Sequence, residues 1–444
     1  MTGLMRLGKQ WLLSLLLLGH GVVQAAEPVE LVIATVNNGH MLAMESLSRF
    51  FEAENPDIRL RWVTLEEGVL RQRVTTDIAT RAGQFDVLTI GMYEAPMWGE
   101  RGWLTPLEFN SDYRVNDLLP TIRAGLSARG KLVAAPFYGE SSMLFYRKDL
   151  LAAAGKTMPE QPTWNDVAEI AAAIHAPDKG VYGICLRGKP GWGDNMALLG
   201  TLVNTFGGRW FDINWQPQIH TEAWRNAISF YVDLMRRYGP ANASANSFNE
   251  NLELFSAGKC GLWVDATVAA SFVADPAQSS VAGVVGFAPA PVAVTPRGAN
   301  WLWAWALAIP ASSRHQEQSL RFVSWATSRS YIELVGEELG WHRVPTGTRL
   351  STYQISAVKV AMPFLMAERA AIEKADPRQS TMQPVPYVGV QIVNIPEFQR
   401  IGLETGRQIS AALAGKRSVD DALRAAQQFA EAEMKRSRSK GAQP

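Results

Sequence analysis

Cysteine is scarce in this chain, with 2 residues in 444, and histidine is little commoner, with 6. Two cysteines cannot build a disulfide-stapled scaffold, and neither lies at a spacing that suits structural zinc. None of the histidines forms an H-E-x-x-H pair. Charge of one sign is also lacking: 43 basic residues face 42 acidic ones, a net +1. Without a basic patch, no nucleic-acid partner is expected. There is no G-x-S-x-G elbow and no Walker A loop. Gly188, Gly191 and Gly193 sit in RGKPGWGDN at the wrong spacing for a dinucleotide loop, and Pro190 removes a backbone donor. No catalytic constellation, metal or cofactor is therefore expected.

Long apolar runs are missing as well. The longest near the N-terminus is WLLSLLLL (11–18), well below the roughly 20 residues a membrane span needs. Arg6 and Lys9 precede it, and Val23 and Ala25 stand at the −3 and −1 positions before Ala26. That pattern predicts a secretory signal peptide over 1–25, export to the periplasm and no stable membrane insertion. No cysteine follows the run to carry a lipid anchor. In an oxidising compartment Cys185 and Cys260 can pair as one disulfide or remain two buried thiols; the sequence leaves both open.

What is present is a large hydrophobic fraction, 47%, in a chain long enough for two or three domains. VELVIAT (29–35) reads as a buried strand, followed by a helical stretch that Asn55-Pro56 ends. Ile58, Leu60 and Trp62 alternate as a half-buried strand, Leu70, Val74 and Ile78 mark a helix, and FDVLTI (85–90) is again a strand. This alternation predicts α/β layering. Thr163 and Asp166 predict a capping box. Ser418 opens the last helix, and 435–444 is expected as a solvated tail.

The order of segments then becomes specific. QFDVLTIGMYEAPMWGERGWLTPL (84–107), KLVAAPFYGESSMLFYRKDLLAAAG (131–155), PTWNDV (162–167), LFSAGKCGLWVDAT (254–267) and NWLWAWALAIPASS (300–313) follow one another along the chain. In this order they resemble the extracellular solute-binding proteins of ABC importers, the family that includes maltodextrin-binding proteins. CLRGKPGWGDNMALLGTLVNTFGG (185–208) and LWVDATVAASF (262–272) resemble the polyol branch, whose members bind mannitol, sorbitol or related alditols. The resemblance implies a two-lobed periplasmic-binding-protein fold with hinge-connected lobes and a ligand cleft between them. It assigns 26–138 and 300–344 to the N-terminal lobe, and 139–299 and 345–434 to the C-terminal lobe. It also implies a monomer that closes over one small polyol and delivers it to the membrane permease subunits of an ABC importer.

A polyol calls for charge-assisted hydrogen bonds and flat apolar walls. With 15 tryptophans in the chain, the useful ones are those beside polar side chains in loops. Asn37, Asn38 and His40 occupy the turn after the first strand. Tyr93 and Glu94 follow FDVLTI at the strand end where α/β sheets bind ligands. Glu140 matches an acidic cleft position in the maltodextrin branch. Arg187, Trp192 and Asn195, with Asp194 between them, form the densest polar–aromatic group; an internal Arg187–Asp194 ion pair is the plain structural alternative. Trp263 and Asp265 offer a second wall and acceptor. Trp301, Trp303 and Trp305 share one face by strand periodicity, with Trp301 and Trp303 favoured for ligand and Trp305 for the core. Arg343 stands near the last expected crossing. The rival readings are a mono- or oligosaccharide receptor on the same scaffold, and a secreted glycosidase using Glu140 and Asp265.

Overall fold

The computed structural model describes residues 27–439, so the signal peptide expected over 1–25 lies outside the described residues. Nine strands form two sheets: β1 (Val29–Val36), β2 (Ile58–Leu65), β3 (Val87–Ile90), β4 (Ala135–Glu140), β5 (Ser142–Arg147), β6 (Tyr182–Cys185), β7 (Cys260–Ala266), β8 (Val285–Pro289) and β9 (Trp303–Ala308). A two-residue ribbon, Ser127–Ala128 with Lys131–Leu132, stands apart from both. The first sheet has the order β2-β1-β3-β9-β4, and the second β8-β5-β7-β6.

β1 pairs parallel with β2 from Val29↔Ile58 onward and with β3 at Ile33↔Val87. Parallel neighbours need crossover helices, which the stretches 39–54 and 67–80 supply. Those helices cover the sheet, and β3, β4 and β9 are buried along their whole length, as expected of strands covered on both faces. The edge strand β2 is partly exposed through most of its length. The helical stretch after β1 is two helices, Gly39–Ser46 and Ser48–Glu54, broken at Leu47. The capping box at Thr163 is present, with Thr163 Oγ1 accepting from the Asp166 amide at 3.1 Å and Asp166 Oδ2 from the Thr163 amide at 2.8 Å.

The two sheets share one chain in an unusually direct way. β4 ends at Glu140 in the first sheet, β5 starts at Ser142 in the second, and only Ser141 lies between. The chain returns from β8 to β9 and crosses again after Arg343. At this last passage the Gly139 amide donates to the Thr346 carbonyl at 2.9 Å. A Cβ on Gly139 would overlap the Gly347 carbonyl oxygen, and one on Gly347 would overlap the Gly139 carbonyl oxygen. Gly347 also has φ +77°, in the left-handed region, which glycine adopts without steric cost.

The last helices, Phe398–Leu413 and Val419–Ser439, pack on the second half of the molecule. Lys435 to Ser439, expected as tail, continue the final helix because Met434 and Ser437 stay on its buried face; Ser437 Oγ donates to Glu397 there.

Cys185 and Cys260 are bonded, with Cα atoms 5.9 Å apart, joining the neighbouring strands β6 and β7 across a sequence separation of 75. Cross-linking a loop of that length stabilises the fold by about 4 kcal/mol on the chain-entropy model. Reduction under native conditions should therefore lower the thermal midpoint by several degrees, measured by circular dichroism with and without reductant. An unchanged midpoint in protein whose thiols titrate as free would show that the bond contributes nothing to stability.

Candidate functional site

The loops at the ends of β1 and β4 face those of the second sheet across a cavity of about 110 Å³, lined from both sides. On the first side stand Asn37 and Asn38. Asn38 does two things at once: its Oδ1 caps the following helix by accepting from Met41 N at 3.1 Å, and its Nδ2 donates to Tyr138 Oη at 3.0 Å. Glu67 and Arg71, one helical turn apart, project from helix Glu67–Thr80.

Arg71 is the most heavily constrained cation of the wall. Its guanidinium donates to Glu94 at 2.5 Å and Glu67 at 2.8 Å, and lies over the rings of Trp192, Trp303 and Trp305 at 4.0, 5.0 and 4.8 Å. Burial alone works against its charge, but the two carboxylates more than offset this and hold its pKa above the ordinary value. Gly91 makes room for the cage, since a Cβ there would overlap the Trp303 ring.

On the second side Arg187 is held as a fork by Asp265, Nε to Oδ2 at 2.9 Å and Nη2 to Oδ1 at 2.5 Å, and its Nη1 donates to the Gly193 carbonyl at 2.9 Å. Its partner is thus Asp265 and not Asp194, which instead accepts from Ser247 Oγ at 2.5 Å. Trp301 stacks beside the Arg187 guanidinium at 5.6 Å. Lys189 reaches across to Glu66 on the first side. Five acidic side chains (Glu66, Glu67, Glu140, Asp194, Glu250) and three basic ones (Arg71, Arg187, Lys189) line the cavity. Burial pushes the Glu140 carboxyl up to about 8 against the pull of Arg187. It raises Asp194 as well, with Glu67 adding to it.

Of the residues singled out from sequence, Asn37, Asn38, Glu140, Arg187, Trp192, Trp301 and Trp303 line the cavity. Trp305, assigned to the core, lines it too; β9 begins only at Trp303, so the three indoles fan around Arg71 and Arg187 rather than form one flat row. The others stand behind the wall. Glu94 accepts from Arg71 and from the Gly91 amide at 3.0 Å. Tyr93 is fully buried, donates to the Ile395 carbonyl at 2.8 Å and backs Trp192 at a ring separation of 4.9 Å. Asn195 is spent on backbone, bridging the Gly191 amide and the Gly406 carbonyl. Trp263 packs on Phe145 and donates to Asp265 at 3.1 Å. His40 is clamped between Tyr138 and Phe272; burial, helped by Arg343, lowers it to about 3 and keeps it neutral. Arg343 lies outside the wall, in the short helix Trp341–Arg343.

Sequence reasoning missed Glu67, Arg71, Tyr138, Lys189 and the segment Ser247–Glu250. One signal was available: Glu67 and Arg71 fall on the same helical face as Val74 and Ile78, where charge is unexpected. Asp265, singled out as a ligand acceptor, stands behind the wall as the partner of Arg187. Both its oxygens are occupied, by Arg187, Trp263 Nε1 and the Ala266 amide at 2.7 Å, so it is not free to act as a nucleophile or a base with Glu140.

The family model of bacterial extracellular solute-binding proteins matches residues 38–332. A mannitol-binding protein of Pseudomonas aeruginosa is 56% identical over 416 residues, 94% of this chain and 95% of its own length. An ABC transporter solute-binding protein from Agrobacterium vitis S4, solved with bound D-mannitol, is 55% identical and superposes with a TM-score of 0.91 over 92% of this chain and 99% of that one. One from Agrobacterium radiobacter K84, solved with ribitol, shares the fold at 24% identity and a TM-score of 0.81, covering 91% of this chain and 99% of its own.

A carboxyl raised when folded holds its proton over the interval between its ordinary value, 4.5, and about 8, where the unfolded chain has lost it. Stability conferred below pH 4.5 should therefore be lost as pH rises through that interval, with a slope approaching about 1.4 kcal/mol per pH unit for each such proton. Urea unfolding of the ligand-free protein at several pH values should show Glu140→Gln flattening this fall. Parallel curves for the two proteins would place the Glu140 proton elsewhere.

Proposed function

This chain belongs to the bacterial extracellular solute-binding proteins, and from that premise we propose that it captures one alditol in the cavity and delivers it to an ABC importer. It is a binding protein and not an enzyme. The observation that carries the polyol reading is the enclosure of about 110 Å³ between an Arg187–Asp265 fork and an indole-lined wall. One water needs about 10–15 Å³, so the space suits a single small solute. Asp265 and the Gly193 carbonyl take three of the five Arg187 donors, which leaves one hydrogen on each Nη for hydroxyls, and the indoles face the C–H skeleton. The likeness to two mannitol-binding relatives above 50% identity supports the same choice.

The lobes would be 26–138 with 300–344, and 139–299 with 345–434, hinged at Ser141 and at the Gly139–Gly347 passage. Lys189–Glu66 and the seating of Arg71 on Trp192 span them, which supports closure around the ligand. In this reading the chain is exported through its N-terminal segment, works as a periplasmic monomer, and presents its closed form to the permease subunits. No helix among the described residues is long and apolar enough to cross a membrane.

Thermal unfolding against alditols, hexoses and maltodextrins tests the proposal. A ligand at 100 times its Kd should stabilise the fold by about 2.7 kcal/mol, and only one or two alditols should do so. Response to cyclic sugars alone would replace the polyol by a sugar. Arg187→Lys keeps a charge beside Asp265 but loses the fork, so alditol affinity should fall at least tenfold, about 1.4 kcal/mol, while the ligand-free midpoint stays within a few degrees. Unaltered affinity would remove Arg187 from the site.

A further inference from the structure

The charges around the cavity do not balance: Glu140, Asp194 and Glu250 line it without a cation of their own, but Asp194 accepts from Ser247 Oγ and Glu250 from the Ser247 amide at 2.8 Å. Each cation of the wall is already committed: Arg71 to Glu94 and Glu67, Arg187 to Asp265, Lys189 to Glu66. Glu140 is left over. It is 8% exposed, lines the cavity, and its side chain has neither a hydrogen-bond nor an ion-pair partner among the described residues. It sits at the end of β4 opposite Trp303, one residue before the crossing at Ser141. The charged groups acting on it are Arg187, Asp265, Glu67 and Glu368. Burial opposes its charge most; Arg187 favours the charge, and Asp265, Glu67 and Glu368 oppose it.

A neutral alditol offers that carboxyl a hydroxyl and leaves its proton in place. A primary ammonium offers more: a full countercharge and three donors, beside a largely buried carboxyl, where such a pair is charge-assisted. We propose that the same cavity also takes amino-alditols, acyclic polyols in which a terminal hydroxyl is replaced by a protonated amine, with the ammonium on Glu140. This rests on the polyol reading of the cavity and extends its ligand class from neutral to cationic solutes. The exchange balances. The ligand enters as R–NH3+, Glu140 gives up its proton to solvent, and an ion pair replaces a neutral acid. Because burial raises the free carboxyl to about 8, nearly one proton should leave per ligand bound at pH 7. A carboxylate-bearing analogue, an aldonate, would instead meet uncompensated like charge and be rejected.

Isothermal titration calorimetry decides this with the full mature protein, D-mannitol, 1-amino-1-deoxy-D-mannitol and D-mannonate at pH 7, in two buffers of different ionisation enthalpy. The expected result is an amino-alditol Kd within tenfold of mannitol's or tighter, close to one proton released with the amine and none with mannitol, and no heat from the aldonate. Glu140→Gln has the shape and neutrality of the protonated acid. It should fold, checked by circular dichroism, abolish the proton release, and shift the amine-to-mannitol Kd ratio at least tenfold toward mannitol. An amine more than tenfold weaker than mannitol, binding without proton release, or a ratio insensitive to Glu140→Gln overturns the inference while leaving the mannitol reading intact. A protein that binds neither compound overturns both.

Discussion

The strand that ends at Glu140 and the strand that starts at Ser142 belong to different sheets, with one residue between them. That crossing constrains much of what surrounds it. It brings the edge of one sheet against the other, and it requires a second passage of chain to lie on top of it. Gly139 and Gly347 meet there backbone to backbone, closer than any side chain allows. The neighbouring Glu368 is buried in the same place, accepting from Thr346 Oγ1 at 2.9 Å and Tyr353 Oη at 3.1 Å. Burial pushes its carboxyl up to about 7. A polar knot of this kind fixes where the two halves meet, because an unsatisfied group there would be costly to bury.

From that junction the cavity follows. Glu140 is carried into it by β4, Trp303 and Trp305 by β9, and the Arg187–Asp265 pair by β6 and β7. The two buried arginines are alike in design and different in duty. Each is held by carboxylates on one side and aromatic rings on the other, so that desolvation is offset before a ligand arrives. Arg187 belongs to the second sheet, and its fork is oriented by its own neighbours. Arg71 comes from the first side and rests on Trp192 of the second, so its cage is complete only when the two sides are together. A pocket built this way has rigid polar groups at its walls, which favours recognition of hydroxyl configuration over mere size.

The alternation of buried strand and amphipathic helix was legible in the residues. So were the capping box at Thr163, the strand runs 29–35 and 85–90, and the ordered segments that resemble solute-binding proteins. These are local properties: periodicity, capping and turn chemistry act over a few residues. Half of the fourteen residues singled out line the cavity, legible for the same reason, since Asn37, Asn38, Glu140, Arg187, Trp192, Trp301 and Trp303 combine polar or flat side chains with strand ends and loops.

What the sequence could not decide was which of its charged residues would find each other. Arg71 and Glu67 are visible as neighbours on a helix, but the indoles that enclose Arg71 lie 121 to 234 residues farther on. Arg187 stands close to Asp194 in sequence yet pairs with Asp265, because parallel pairing of β6 with β7 aligns the strands that carry them. His40, in a turn that suggested ligand contact, is buried between rings from distant segments. Cys185 and Cys260 were compatible with a bond or with two thiols until the fold placed their Cα atoms 5.9 Å apart. Local order is written in short-range preferences. The site's chemistry depends on burial and on partners, and both are set only when distant strands are brought into register.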